Sequence, residues 1–191
     1  MNFLAHALIA TLTLPDTGGQ EVTGSIMADF FTGQSLEAYP GGIRIGILQH
    51  REVDLFTDSH PVFIHTRSLV AGAGAPRFTA GILVDIFWDY MLATGWDRWA
   101  AGTGLQLEAF GAQVYRSIDA TKAWHSPAFT GAGEWMMKAS LLSTYATIDG
   151  IRAALAGLSR RMSGRVDLSL SADILTDHDA PIRDAFDRFW P

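Results

Sequence analysis

The chain contains no cysteine. Disulfides, thiolate metal sites and a cysteine nucleophile are therefore excluded, and any metal has to be held by histidine and carboxylate. Positive charge is also in short supply. Fourteen Lys and Arg stand against twenty Asp and Glu, a net charge of −6, the opposite of what a generally basic nucleic-acid-binding surface needs. A local patch or a bound metal can still reverse the field for an anionic substrate. No apolar stretch is long and uncharged enough to span a membrane. The opening Met1-Asn2-Phe3-Leu4-Ala5-His6 has no basic region before its apolar residues, and that run breaks at Pro15, a poor match to a signal peptide. The expectation is a soluble, cytoplasmic protein with neither a nucleic-acid nor a membrane partner. Its oligomeric state is not written in any pattern. Strand signals are weak throughout, because no turn dipeptide is flanked by alternating runs. A Walker-type phosphate loop, a strand–Gly-x-Gly-x-x-Gly–helix unit and a Gly-x-Ser-x-Gly elbow are all missing.

What is present is an apolar, helix-patterned chain. Hydrophobic residues make up 48% and charged residues 18% of 191 positions, enough to bury a core within one domain. The expected fold is all-α, a single-domain helical bundle over residues 1–191. Helical spacing predicts a first helix from Asn2 to about Leu12 and a second from about Thr23 to Phe31. A longer helix follows the glycine pair Gly41-Gly42, and Pro61 fits the first turn of the next. The almost continuously apolar Ile82–Leu92 run predicts a buried helix. Further helices are expected over Leu105–Ile118, Trp135–Tyr145, Ile148–Leu158 and Pro181–Trp190. The aromatic residues fall at helix-core spacing and read as core.

The most pronounced polar constellation is His50-Arg51-Glu52-Val53-Asp54-Leu55-Phe56-Thr57-Asp58. Residues four apart on a helix differ by about 40° in direction, so His50, Asp54 and Asp58 form a ridge along one side. Imidazole and carboxylate together suit a divalent ion such as Mn²⁺, Fe²⁺ or Zn²⁺. A solvated polar face with ordinary side-chain pairs is the other reading. Asp85 and Asp89 lie in one of the most apolar stretches, where an unpaired carboxylate is costly and needs a partner, a metal or an exit to water. His6 and Asp29 occupy similar surroundings; singly, each fits a hydrogen-bonded core residue or a helix cap. Together these residues fall on four helices, and helical bundles build metal sites from inward-facing side chains on several helices. The adjacent His178-Asp179 pair precedes Pro181 at a helix start and reads as capping. His60 reads as part of the turn before Pro61.

Several segments resemble the acyl-carrier-protein phosphodiesterase family. They are Met1–His6; Gly24 with Ala28-Asp29-Phe30; and Gly46-Ile47, His50-Arg51, Asp54, Thr57-Asp58 and His60-Pro61. Asp85 and Asp89 followed by Trp96 fit the same pattern. So, more loosely, do Leu155, Gly157-Leu158-Ser159-Arg160-Arg161 and the closing Phe186, Phe189-Trp190-Pro191. The resemblance implies a helical fold distantly related to the His-Asp phosphohydrolases, although this chain has no adjacent His-Asp pair at the expected helix. It implies Mn²⁺-dependent hydrolysis of the phosphodiester joining 4′-phosphopantetheine to a serine of acyl carrier protein, which is then the substrate and partner.

The expected metal ligands are His6, Asp29, His50, Asp54 and Asp85, with Mn²⁺ as the favoured ion and Fe²⁺ or Zn²⁺ as alternatives. The metal would lower the pKa of a bound water. Arg51 would donate two hydrogen bonds to the phosphate, a structural pair with Glu52 or an aspartate of another helix being the alternative, and Asp58 and Asp89 would lie beside the metal as supporting carboxylates. Arg44, Arg160, Arg161 and Arg165 are expected to steer the partner; for Arg160 and Arg161, complementing a helix C-terminus is the alternative. Two other functions are compatible with the sequence: a metal-dependent phosphohydrolase of a small nucleotide or similar ester, and a non-catalytic helical interaction protein.

Overall fold

The structure, a computed structural model, describes residues 1–31, 35–161 and 166–190. All regular structure among them is helical, as the sequence pattern predicts. The first helix, α1 (Phe3–Thr13), buries residues around its whole circumference, including Leu4, His6, Ala7 and Leu8, the mark of a core helix. It is followed by α2 (Gln20–Met27), a single tight turn over Ala28–Phe30, and α3 (Gly41–Ser59). The α2 segment differs from the expected helix over 23–31: it starts earlier, and its last turn tightens before Asp29.

Next come α4 (Pro61–Gly72), α5 (Ala80–Thr94), α6 (Trp96–Trp99) and α7 (Leu107–Ala120). The α4 start is fixed by His60, whose Nδ1 accepts a hydrogen bond from the Val62 N–H at 3.2 Å, with Pro61 supplying the preset φ of the first turn. Then follow α8 (Pro127–Lys138), α9 (Leu141–Thr144), α10 (Ile148–Arg161), α11 (Ala172–Asp177) and α12 (Asp179–Phe189). The single helix expected over 135–145 is two helices, because Ser140 takes a left-handed φ of 47° between α8 and α9. The α8 start is marked by Ser126, whose hydroxyl accepts from the Phe129 N–H at 3.2 Å ahead of Pro127. The capping expected of His178-Asp179 is also corrected. No side-chain cap forms at the α12 start, and Asp179 instead takes two hydrogen bonds from Arg183, one turn on, at 2.9 and 3.2 Å.

The chain divides into two compact units. One comprises Phe3–Leu55 and Trp96–Ser143. In it α2 packs on α1 and α7, and α7 on α8. The α2 and α3 helices approach so closely that side chains are excluded at the crossing. A Cβ on Gly24 would lie 2.9 Å from the Ile43 carbonyl carbon, and one on Gly46 would lie 2.7 Å from the Ser25 nitrogen. The obstacles are backbone atoms, which cannot rotate aside.

The other unit comprises Met1–Asn2, Phe56–Gly95 and Thr144–Pro191. Its α4, α5 and α12 pack mutually around Trp88, which is fully buried. Phe63 meets Trp88 edge-on at 5.4 Å between ring centroids, Phe189 at 4.5 Å and Phe186 at 6.0 Å. Among the described residues, no helix is long and apolar enough to cross a membrane.

Candidate metal centre

The glycine crossing places the side chains of α3 against the end of α2. The last carbonyls of a helix have no partner within it. One of them, on Ser25, accepts a hydrogen bond from His50 Nδ1 at 2.8 Å. That bond assigns the proton of a neutral His50 to Nδ1 and directs the Nε2 lone pair into the site. His50 Nε2 lies 3.0 Å from Asp54 Oδ2, one turn along α3, and 3.3 Å from Asp29 Oδ1, in the turn just past α2. From α1, His6 Nε2 lies 3.0 Å from the other oxygen of Asp54. The two imidazoles stack, with centroids 3.8 Å apart and planes 18° from parallel. The Ser25 hydroxyl donates to the His6 carbonyl at 3.3 Å, tying α1 to α2. His6 Nδ1 is buried without a hydrogen-bond partner among the described residues, and the Asp54 carboxylate, which can only accept, assigns the proton of a neutral His6 to Nε2.

Both histidines are buried, at 1% and 5% exposure, while Asp54 and Asp29 reach solvent. Burial pushes His6 down to about 4, against the hydrogen bond it donates to Asp54. Burial also opposes charge on His50, but hydrogen bonds to Asp29 and Asp54 outweigh it and carry its pKa up to about 9. For Asp54, burial favours the neutral form; hydrogen bonds with His50 and His6 prevail and hold it below the usual carboxylate range. Asp29 is lowered in the same way by His50. At neutral pH the cluster therefore holds two carboxylates, one imidazolium and one neutral imidazole.

This donor set fits a divalent cation. Ligand atoms of His6, His50 and Asp54 converge within 4.8 Å of one another, and Asp29 reaches the same His50 nitrogen. Neighbouring ligands on an octahedron with bonds of about 2.1 Å are separated by about 3.0 Å, the spacing of both imidazoles from Asp54. Replacing the His50 proton by a divalent ion leaves two neutral imidazoles and two carboxylates around a charge of two. Nitrogen and carboxylate ligands of this kind suit Mn²⁺, Fe²⁺ and Zn²⁺.

A model of the family described as acyl carrier protein phosphodiesterase matches residues 1–191. The chain belongs to this family. A relative from Photorhabdus laumondii named acyl carrier protein phosphodiesterase is 31% identical over 191 residues, which is all of this chain and 92% of that one. Relatives of the same name from Yersinia pestis and Salmonella dublin are 29% and 28% identical, covering all of this chain and 94% and 92% of theirs. The name denotes a hydrolase of phosphodiester bonds. No solved structure matches the chain.

Of the residues expected at the site, the structure brings four together: His6, Asp29, His50 and Asp54. Asp85 lies on α5, in the other unit, and its carboxylate is 2.9 Å from the α-amino group of Met1. Asp89, one turn further on, is fully buried. Asp58 is exposed at the end of α3. Arg51 is exposed beside His50, its guanidinium carbon 5.4 Å from the centroid of the Phe31 ring. Arg44 is exposed on α3 and Arg160 near the end of α10. The Arg161 side chain and Arg165 fall outside the described residues. Sequence reasoning missed the Ser25 carbonyl. Its only trace is the pair Gly24 and Gly46, which permits the close approach.

Proposed function

We propose that the protein is a metal-dependent phosphodiesterase that removes 4′-phosphopantetheine from holo-acyl carrier protein, using the His6–Asp29–His50–Asp54 cluster. The observation that carries this reading is a His50 held by Ser25 with its second nitrogen aimed at two carboxylates, in a chain whose family is named for that activity. His6, His50, Asp54 and Asp29 would hold the ion, which supplies Lewis-acid charge and a water acidic enough to attack phosphorus near neutral pH. Ser25 keeps His50 in the tautomer able to bind metal. Arg51, whose guanidinium carbon lies 5.4 Å from the Phe31 ring centroid, would donate N–H groups to the phosphoryl oxygens. The water oxygen joins phosphorus as the bond from phosphorus to the serine oxygen breaks. A proton goes to that oxygen, and the phosphate leaves with the pantetheine. Arg44, Arg160, Arg161 and Arg165 are candidates for steering the carrier protein.

Incubation of holo-acyl carrier protein with the enzyme and Mn²⁺, followed by intact mass, should show loss of the phosphopantetheinyl group, and EDTA should prevent it. Because an ion must displace the His50 proton, Mn²⁺ binding at pH 7.5 should release about one proton per site in calorimetry performed in buffers of different ionisation enthalpy. An unchanged carrier mass with Mn²⁺, Fe²⁺ and Zn²⁺ alike would exclude the substrate. Metal binding without proton release would exclude His50 as a ligand.

A further inference from the structure

We propose that the aromatic side chains of Phe31, Tyr39 and Trp124 form a subsite for the uncharged, amide-bearing arm of the substrate. This rests on the phosphopantetheine reading above. The row begins at the cluster. Phe31 follows Asp29 by two residues, and Arg51, next to His50, lies 5.4 Å from its ring centroid. From Phe31 the next ring is Tyr39, at 5.7 Å and a 56° tilt, and from Tyr39 the next is Trp124, at 6.5 Å and 48°. All four residues belong to one compact unit.

These rings are kept at the surface. Phe110 and Phe129 of the same unit are fully buried, whereas Phe31 and Tyr39 are half-buried and Trp124 is 43% exposed. An aromatic row left partly in water gains stability when a ligand covers it. Its shape selects the ligand. Successive rings are tilted by about fifty degrees, so no two parallel faces form a slot for a flat nucleobase. They form a continuous uneven surface, suited to an extended chain whose amide planes lie on ring faces and whose branched carbons fill the angles between them. Arg51 stands at the cluster end of the row, against Phe31. A substrate with its phosphate at the cluster and an uncharged arm beyond it matches the order of cluster, Arg51 and rings.

The test uses the full-length, Mn²⁺-loaded protein and free 4′-phosphopantetheine, read by tryptophan fluorescence. A saturable change is expected that disappears in Trp124→Phe, which keeps a ring but removes this reporter among six tryptophans. Calorimetry should then show affinity weakened about three- to tenfold in Trp124→Ala and in Tyr39→Leu. The Michaelis constant for holo-carrier protein should rise by that factor beyond any rise for methyl 4-nitrophenyl phosphate, which lacks the arm. A signal that survives in Trp124→Phe, unchanged affinity in both variants, or equal losses on the two substrates would overturn the subsite. So would adenosine monophosphate binding the row more tightly than phosphopantetheine, which would make it a base site. Failure of the proposed function is read separately, as an unchanged carrier mass with the unmodified enzyme, and the fluorescence titration still decides the row.

Discussion

Burial has opposite consequences in the two units. Around Trp88 the partners are Phe63, Phe186 and Phe189, and every ring taken from water adds stability. Around His50 the buried groups are ionisable, and burial works against the charged form of each. The first arrangement explains itself as core. The second persists because its members compensate one another, and its donor set is one that could hold a cation. A costly cluster held by backbone contacts is a better pointer to function than any amount of well-packed aromatic surface.

The sharpest way to break this comparison is to disable each centre once. Asp54→Asn keeps the side-chain shape and removes the charge that both imidazoles face. It should lower phosphodiesterase activity more than about a hundredfold, exceeding the loss typical of outer partners of metal ligands, and by far more than the fall in folded fraction that the lost pairing causes in thermal unfolding. Trp88→Ala should do the reverse, costing about 3–5 kcal/mol in denaturant unfolding with activity falling only as the folded fraction falls. Near-normal activity in Asp54→Asn would remove the cluster from the mechanism.

The glycine crossing offers a smaller and more selective effect. Gly46→Ala places a methyl 2.7 Å from the Ser25 nitrogen, so α2 and α3 must separate and His50 must leave the Ser25 carbonyl. Stability should fall by about 1–3 kcal/mol and Mn²⁺ affinity by about tenfold to a hundredfold, measured by chemical unfolding and metal titration. Gly131→Ala on α8 meets nothing within 4 Å and should stabilise by about 0.5–1 kcal/mol. Equal behaviour of the two variants would mean that the crossing does not position His50.

How much of this was legible beforehand follows from what a sequence encodes locally. The α3, α4 and α5 helices were visible because glycine and proline punctuate apolar periodicity. The start of α8 was missed although Ser126-Pro127 signals it, and the stop at Ser140 could not be read, since serine rarely takes a positive φ. His50 and Asp54 are neighbours by helical spacing alone. His6 and Asp29 could be suspected only as polar residues among apolar ones, because nothing local says that α1 and the end of α2 meet α3. Asp85 drew the same suspicion, and its observed partner is the Met1 amino group. The Ser25 carbonyl is backbone, which any residue type would supply, and so carries no side-chain signal.

The least disruptive probe of the cluster is pH, applied to metal-free protein. His50 has a folded pKa of about 9, above its ordinary value near 6.5, so the folded state holds the proton more tightly than the unfolded chain. Its contribution is fully present below pH 6.5 and is lost as pH rises towards 9. His6 has a folded pKa of about 4, and the unfolded chain takes up that proton first. Its contribution is present above pH 6.5 and is lost as pH falls towards 4. Other groups add their own slopes, which comparison with single variants removes. Relative to the unmodified protein, His50→Gln should flatten the decline in stability between pH 6.5 and 9, and His6→Gln the decline between 6.5 and 4. Urea unfolding across that range in EDTA measures both. The opposite slopes arise because His50 faces two carboxylates and His6 faces one while lying deeper. Finding the alkaline limb removed by His6→Gln instead would reverse the assignment of the shared proton.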